Sequence, residues 1–264
     1  MIDCHCHLVD EKFAHDIDEV IQRAKANGVV GVVVCAEFQD QFEDILNLSE
    51  KYPDFVSPAL GIHPVQRNNV SATLDHFYGA EEYFEREHGR LAAIGEVGLD
   101  FTPRYIKDEA DKAVQREILA KQVNVSNKFD LPLNVHSRSA GTPTIALLIE
   151  CGAKKVLLHA FSGNVKSARP GIQAGFYFSI PPSFSLKPEE KRELIRAIPL
   201  EQLCLETDSP VLGPSKTERN EPINLGYSAR FIAEIKGLTV EEVVRVTTEN
   251  ALKLFPRLKR FIKV

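Results

Sequence analysis

Short apolar runs alternate with longer amphipathic stretches along the whole 264-residue chain. Eight runs read as strands, at 2–7, 29–36, 56–63, 91–97, 131–136, 155–160, 176–180 and 203–206. The intervening stretches carry helical spacing. In 13–27, Ile17, Val20, Ile21 and Ala24 recur at i, i+3, i+4 and i+7. The stretch 38–51 repeats the pattern with Phe42, Ile45, Leu46 and Ser49. Stretches 74–87, 108–128, 142–151, 165–174, 188–197 and 225–235 complete the set. A last helix, 239–255, opens with Thr239 and Glu242 at capping-box spacing. The repeat averages roughly 30 residues, as successive βα units require. One (β/α)8 barrel takes about 250 residues, so the pattern predicts a single TIM-barrel domain over 1–264. An open doubly wound sheet is the runner-up. It needs a Gly-rich turn or a switch-point crevice for its ligand, and the chain has no G-x-G-x-x-G.

Composition narrows the class. The chain is 44% hydrophobic and 26% charged, a soluble globular balance with ample length for a large core. No apolar run is long enough to span a bilayer, and no signal- or transit-peptide pattern is visible ahead of the strand at residue 2. Five cysteines without a C-x-x-C pair make no disulfide framework, so a reducing compartment is expected, cytoplasmic or nuclear. No obligate protein partner is evident. A net charge of −5 argues against tight duplex binding by charge alone. It leaves room for an enzyme acting on phosphodiesters, because bound cations would set the field at the site itself.

The chemistry sits at the carboxyl ends of the apolar runs. The first run reads I-D-C-H-C-H-L, and alternation predicts Asp3, His5 and His7 on one face and Cys4 and Cys6 on the other. Two imidazoles two residues apart on a strand can share one divalent cation. His63, His136 and His159 also end apolar runs, whereas His15, His76 and His88 lie in charged helical stretches and read as solvent-facing. Glu96 lies inside an apolar strand, where a carboxylate needs a partner. Asp208 follows the same logic after the eighth run. Asp100 and Glu206 are weaker cases, either positioning groups or caps. In a barrel these strand ends meet at one rim, where active sites are built. His5, His7, Glu96, His136, His159 and Asp208 suffice for two adjacent cations. Nitrogen and oxygen donors without thiolate suit Zn, Mn or Mg. The five cysteines read as small core residues.

In order, D-C-H-C-H-L, G-I-H-P, G-E-V-G-L-D, N-V-H-S-R, L-H-A-F-S-G, L-E-T-D-S-P and T-T-E-N-A-L-K-L-F resemble the TatD family of metal-dependent deoxyribonucleases, from Asp3 to Phe255. H-S-R-S-A-G and R-N-E-P look most like its eukaryotic branch of TatD DNase domain-containing protein 3. The resemblance implies a TIM-barrel hydrolase. It implies one cation on His5, His7, Glu96 and Asp208 and a second on Glu96, His136 and His159. Cys4 and Cys6 depart from many relatives.

The expected reaction is hydrolysis of a DNA phosphodiester by a metal-activated water. Asp208 is expected as general base, with Glu206 positioning the water or supporting a third, looser cation. His63 and Arg138 are expected on the phosphate, and Arg219 is a weaker candidate there. The low charge favours a DNA end or single strand, hence exonuclease-like trimming. Hydrolysis of an amide, ester or lactone on the same barrel is the rival. Such enzymes often carry a lysine where Glu96 stands. A metal-binding scaffold without turnover would need a missing ligand, and none is missing.

Overall fold

The computed structural model describes residues 1–260; residues 261–264 of the expected domain lie outside the described residues. Strand and helix alternate as β1 (Ile2–Cys6), α1 (Ile17–Ala26), β2 (Gly31–Cys35), α2 (Phe42–Lys51), β3 (Val56–Leu60), α3 (Leu74–Glu87), β4 (Ala93–Gly98), α4 (Glu109–Phe129), β5 (Leu133–His136), α5 (Gly141–Glu150), β6 (Val156–Leu158), α6 (Val165–Gln173), β7 (Tyr177–Ile180), α7 (Pro188–Ala197), β8 (Leu203–Leu205), α8 (Leu225–Lys236) and α9 (Val240–Leu254). The eight strands pair in parallel and in sequence order. The ring closes just past β8: Asp208 N donates to His5 O at 2.9 Å, and His7 N to Ser209 O at 2.7 Å. This is the predicted (β/α)8 barrel. No helix among the described residues is long and apolar enough to cross a membrane.

Two hydrophobic layers follow from strand alternation. Val32 and Val34 point outward into the shell between sheet and helices. Val33 and Cys35 point inward, with Ile2, Cys4, Ala59, Leu157 and Cys204. Ala251, Leu254, Phe255 and Leu258, from α9 and the turn after it, plug the lower end of this inner layer. Arg257 secures the plug through main-chain oxygens of His88, Leu91 and Phe129. Thr239 caps α9 as expected, accepting from Glu242 N at 3.1 Å.

Strict alternation fails in β1. Its pairing with β2 slips between Asp3 and Cys6. Cys4 therefore joins the inner layer and Cys6 the outer one, instead of sharing a face. Asp3 does not stand beside the histidines either: its carboxylate accepts from Thr207 N at 2.9 Å and from the Thr207 hydroxyl. A one-residue bulge transfers every later side chain to the other face, and no local pattern announces it.

Candidate metal centre

The slip in β1 is what turns both His5 and His7 inward. Their Nε2 atoms lie 3.1 Å apart. His7 Nε2 is 3.4 Å from Glu96 Oε2 and 3.2 Å from Asp208 Oδ1. His5 Nε2 is 3.6 and 3.5 Å from the same two oxygens. The other oxygen of Glu96 belongs to a second group. Oε1 is 2.9 Å from His136 Nδ1 and 2.9 Å from His159 Nε2, and these two nitrogens are 3.2 Å apart. His63 Nε2 is 3.5 Å from that oxygen. Donors around one cation at 2.0–2.2 Å stand roughly 3–3.5 Å from each other. Both groups have that spacing, and Glu96 offers one oxygen to each.

Backbone and glycines deliver Glu96 to this position. The register of β4 on β5 slips between Gly95 and Val97. A Cβ on Gly95 would lie 2.6 Å from Asn134 Cβ. Gly98, at φ +148°, would place one 2.0 Å from His136 O. Asp208 holds a left-handed conformation, φ 55°, that non-glycine residues seldom adopt. The bonds of its N–H to His5 O and of its carbonyl to Val211 N keep it there.

The outer nitrogens of His5, His7 and His136 are spoken for. His5 Nδ1 is 2.8 Å from Asn134 Oδ1, and Asn134 is anchored on Cys4 O. His7 Nδ1 meets Cys35 O at 3.0 Å, and His136 Nε2 meets Asp100 Oδ2 at 3.1 Å. In the neutral rings these acceptors hold the proton outside, which leaves the inner nitrogens as the lone-pair sites for a cation or a further proton. Lone pairs 3.1 Å apart repel unless a cation or proton lies between them. His159 differs: its Nδ1 has no hydrogen-bond partner and sits 3.7 Å from Glu206.

Charge state follows the same geometry. Burial works against ionising Glu96, but the surrounding His63, His159, His5 and His136 outweigh it and hold the carboxyl well below its usual range. Asp208 is lowered for the same reason by His5 and His7. Burial opposes a proton on His7, yet Asp208, Glu37 and Glu96 together raise it to about 10. Burial takes His63 down to about 4, so it is neutral at pH 7. An anionic pair of carboxylates among imidazoles is a donor set for divalent Zn, Mn or Mg.

The mouth above these groups is a cavity of about 440 Å³, lined by His7, His63, Glu96, His136, His159 and Asp208. Arg138 lines it too, exposed and with no side-chain partner among the described residues. Glu206 does not reach the mouth: it is fully buried, accepting from Ser179 Oγ at 2.6 Å behind His159. Arg219 is also elsewhere. Its guanidinium donates to Asp16 at 2.8 and 2.6 Å and to Glu221 at 2.7 Å. Asp16, which takes two of these bonds, lies 203 positions away in the chain, so the local pattern did not announce it. The sequence reading does not place two residues that serve the site, Glu37 in the mouth and Asn134 buried behind His5. Glu37 ends the second apolar run, the signal that picked out the others. Asn134 is a polar residue inside an apolar strand.

The family described as "TatD related DNase" matches residues 2–256, and the chain belongs to it. The human protein named deoxyribonuclease TATDN3 is 50% identical over 267 residues, covering 100% of this chain and 97% of that one. The Bacillus subtilis protein named uncharacterized metal-dependent hydrolase YabD is 35% identical, covering 97% and 98%. Among solved structures, the TatD homologue YjjV of Escherichia coli superposes with a TM-score of 0.87 at 26% identity, covering 97% and 98%.

Proposed function

We propose that the protein is a metal-dependent deoxyribonuclease, a single catalytic domain that hydrolyses phosphodiesters at a DNA end or on a single strand. One observation carries the reading: two groups of inward lone pairs and carboxylate oxygens share Glu96 at the floor of one mouth. In it, His5, His7, Glu96 and Asp208 would hold one cation, and Glu96, His136 and His159 a second. Cations bound there supply Lewis acidity, an acidified water and a counter-charge for phosphate. Membership of the TatD family and a 50% identical relative named a deoxyribonuclease support the choice of phosphodiester.

The chain's own residues divide the remaining work. Asp208 keeps Oδ1 against the two imidazoles and takes the proton from the attacking water on its other oxygen. His63 faces both the carbonyl of Val65, at 2.8 Å, and its N–H, at 3.1 Å. Val65 thus serves either tautomer, and Nε2 can present a proton to a phosphate or leaving oxygen. Arg138 is the unpaired cation at the rim and takes a nonbridging oxygen. Glu206 acts on His159, steadying its ring from behind, and Arg219 braces a loop; neither touches substrate.

The test sets metal-loaded protein against labelled single-stranded DNA, an aminoacyl ester and a small amide, with chelated protein as control. We expect cleavage of DNA alone, lost on chelation. Product from the amide alone would replace the substrate assignment. Asp208→Asn should lower kcat by about 10²–10⁴ with KM little changed; a change confined to KM contradicts the general-base role.

A further inference from the structure

The mouth has a neighbour. Pro210, Val211 and Leu212 form a wall with the 440 Å³ cavity on one side and a second cleft, about 610 Å³, on the other. The wall is braced. Ser183 N donates to Leu212 O at 2.9 Å. Asn220 Nδ2 donates to Val211 O and Thr207 O, each at 2.7 Å. Val211 N is bonded to Asp208 O. The partition is thus tied to the residue proposed as general base.

The second cleft differs in chemistry from the first. Lys12, Lys187 and Lys216 line it, with the aliphatic faces of Leu186 and Val211, which are 42% and 48% exposed. Lys187 has an ion pair with Glu190 at 3.3 Å, both side chains largely exposed, a contact worth little in water. Lys12 and Lys216 have no ion pair among the described residues. Glu218 contributes one opposing charge, and the charge of Arg219 is already met by Asp16 and Glu221. Three ammonium groups around exposed aliphatics stand out on a chain of net charge −5.

We infer that this cleft is a subsite for the part of a DNA strand lying next to the scissile phosphate. The lysines take the strand's backbone phosphates, and Val211 and Leu186 pack against a sugar or base. A positively charged groove with apolar platforms is how single strands are held without sequence preference. Continuity with the mouth across a three-residue wall makes it the route by which a strand leaves. The inference rests on the phosphodiester reading above.

The test replaces Lys12, Lys187 and Lys216 together by alanine. A second variant, Val211→Asp, removes the aliphatic platform. Binding of a non-cleavable phosphorothioate oligothymidylate to metal-loaded protein is followed by fluorescence anisotropy at several salt concentrations. Turnover of bis(p-nitrophenyl) phosphate, which fits the mouth alone, is measured beside it. For the triple variant we expect oligonucleotide Kd to rise about tenfold and the log–log salt slope to fall by about 2. Hydrolysis of the small diester should stay within about twofold. Unchanged Kd and salt slope in both variants would overturn the subsite. Wild-type protein that binds the oligonucleotide but hydrolyses neither bis(p-nitrophenyl) phosphate nor an unmodified oligothymidylate would overturn the phosphodiesterase reading and leave the subsite standing. No binding by wild type would overturn the subsite, and no hydrolysis of either cleavable substrate beside it would overturn the phosphodiesterase reading as well.

Discussion

The same eight strands end in opposite environments. Below the mouth, Ile2, Cys4, Val33, Ala59, Leu157 and Cys204 form an apolar layer with a plug of Leu254, Phe255 and Leu258. At their carboxyl ends stand His7, Glu96, His136, His159 and Asp208. The lower end gains stability from burial. The upper end concentrates like charges and exposed lone pairs, which an apolar floor makes more costly still. The lesson is a division of labour along each strand: the sealed half holds the open half in an arrangement it would not keep unaided.

The sharpest way to separate the halves is Glu96→Ala. It removes the oxygens both groups share, so turnover and bound metal should vanish while the far-ultraviolet spectrum stays that of the wild type. Full metal content by emission spectroscopy would contradict the bridge. The counterpart is Phe255→Ala at the plug. It should cost about 3–5 kcal/mol in urea unfolding, with kcat unchanged below the transition; a loss of kcat equal to that in the mouth would erase the distinction. A third prediction concerns protons. Carboxylates raise His7 to about 10 in the metal-free site although burial opposes them. A raised histidine is protonated below that value, so at pH 7 an arriving cation must expel the proton. Apparent metal affinity should therefore climb with pH. Calorimetry in buffers of differing ionisation heat reads the release, and identical heats would refute it. The mildest change is Arg219→Ala, outside both halves. It should cost about 1 kcal/mol or less, with kcat/KM for DNA kept within about twofold.

The barrel was legible because strand and helix periods differ and alternate without interruption. Most of the mouth was legible for a related reason: histidines and acids that end apolar runs have a common place once the sheet closes. Three features were not. Asp3 and Cys4 are parted from His7 and Cys6 by a bulge, which is a pairing event between strands. Arg219 was expected at a phosphate, but Asp16, far away in the chain, claims it. Glu206 has the strand-end position of a catalytic acid, yet it stops one layer short, behind His159. In each case the deciding partner is remote in sequence. Glu37 is the exception, since its position alone would have placed it.

Closure of the ring has a consequence for how the chain is made. The bonds joining His5 to Asp208 and Asp3 to Thr207 are the seam, and the latter pair lies 204 positions apart. His5 and His7 therefore wait through most of synthesis for Asp208 to leave the ribosome. A contact of such span forms late and slowly, so a nascent chain lacks the cradle that needs Asp208, and the nuclease we propose is born inactive, armed only once its last strand closes the ring.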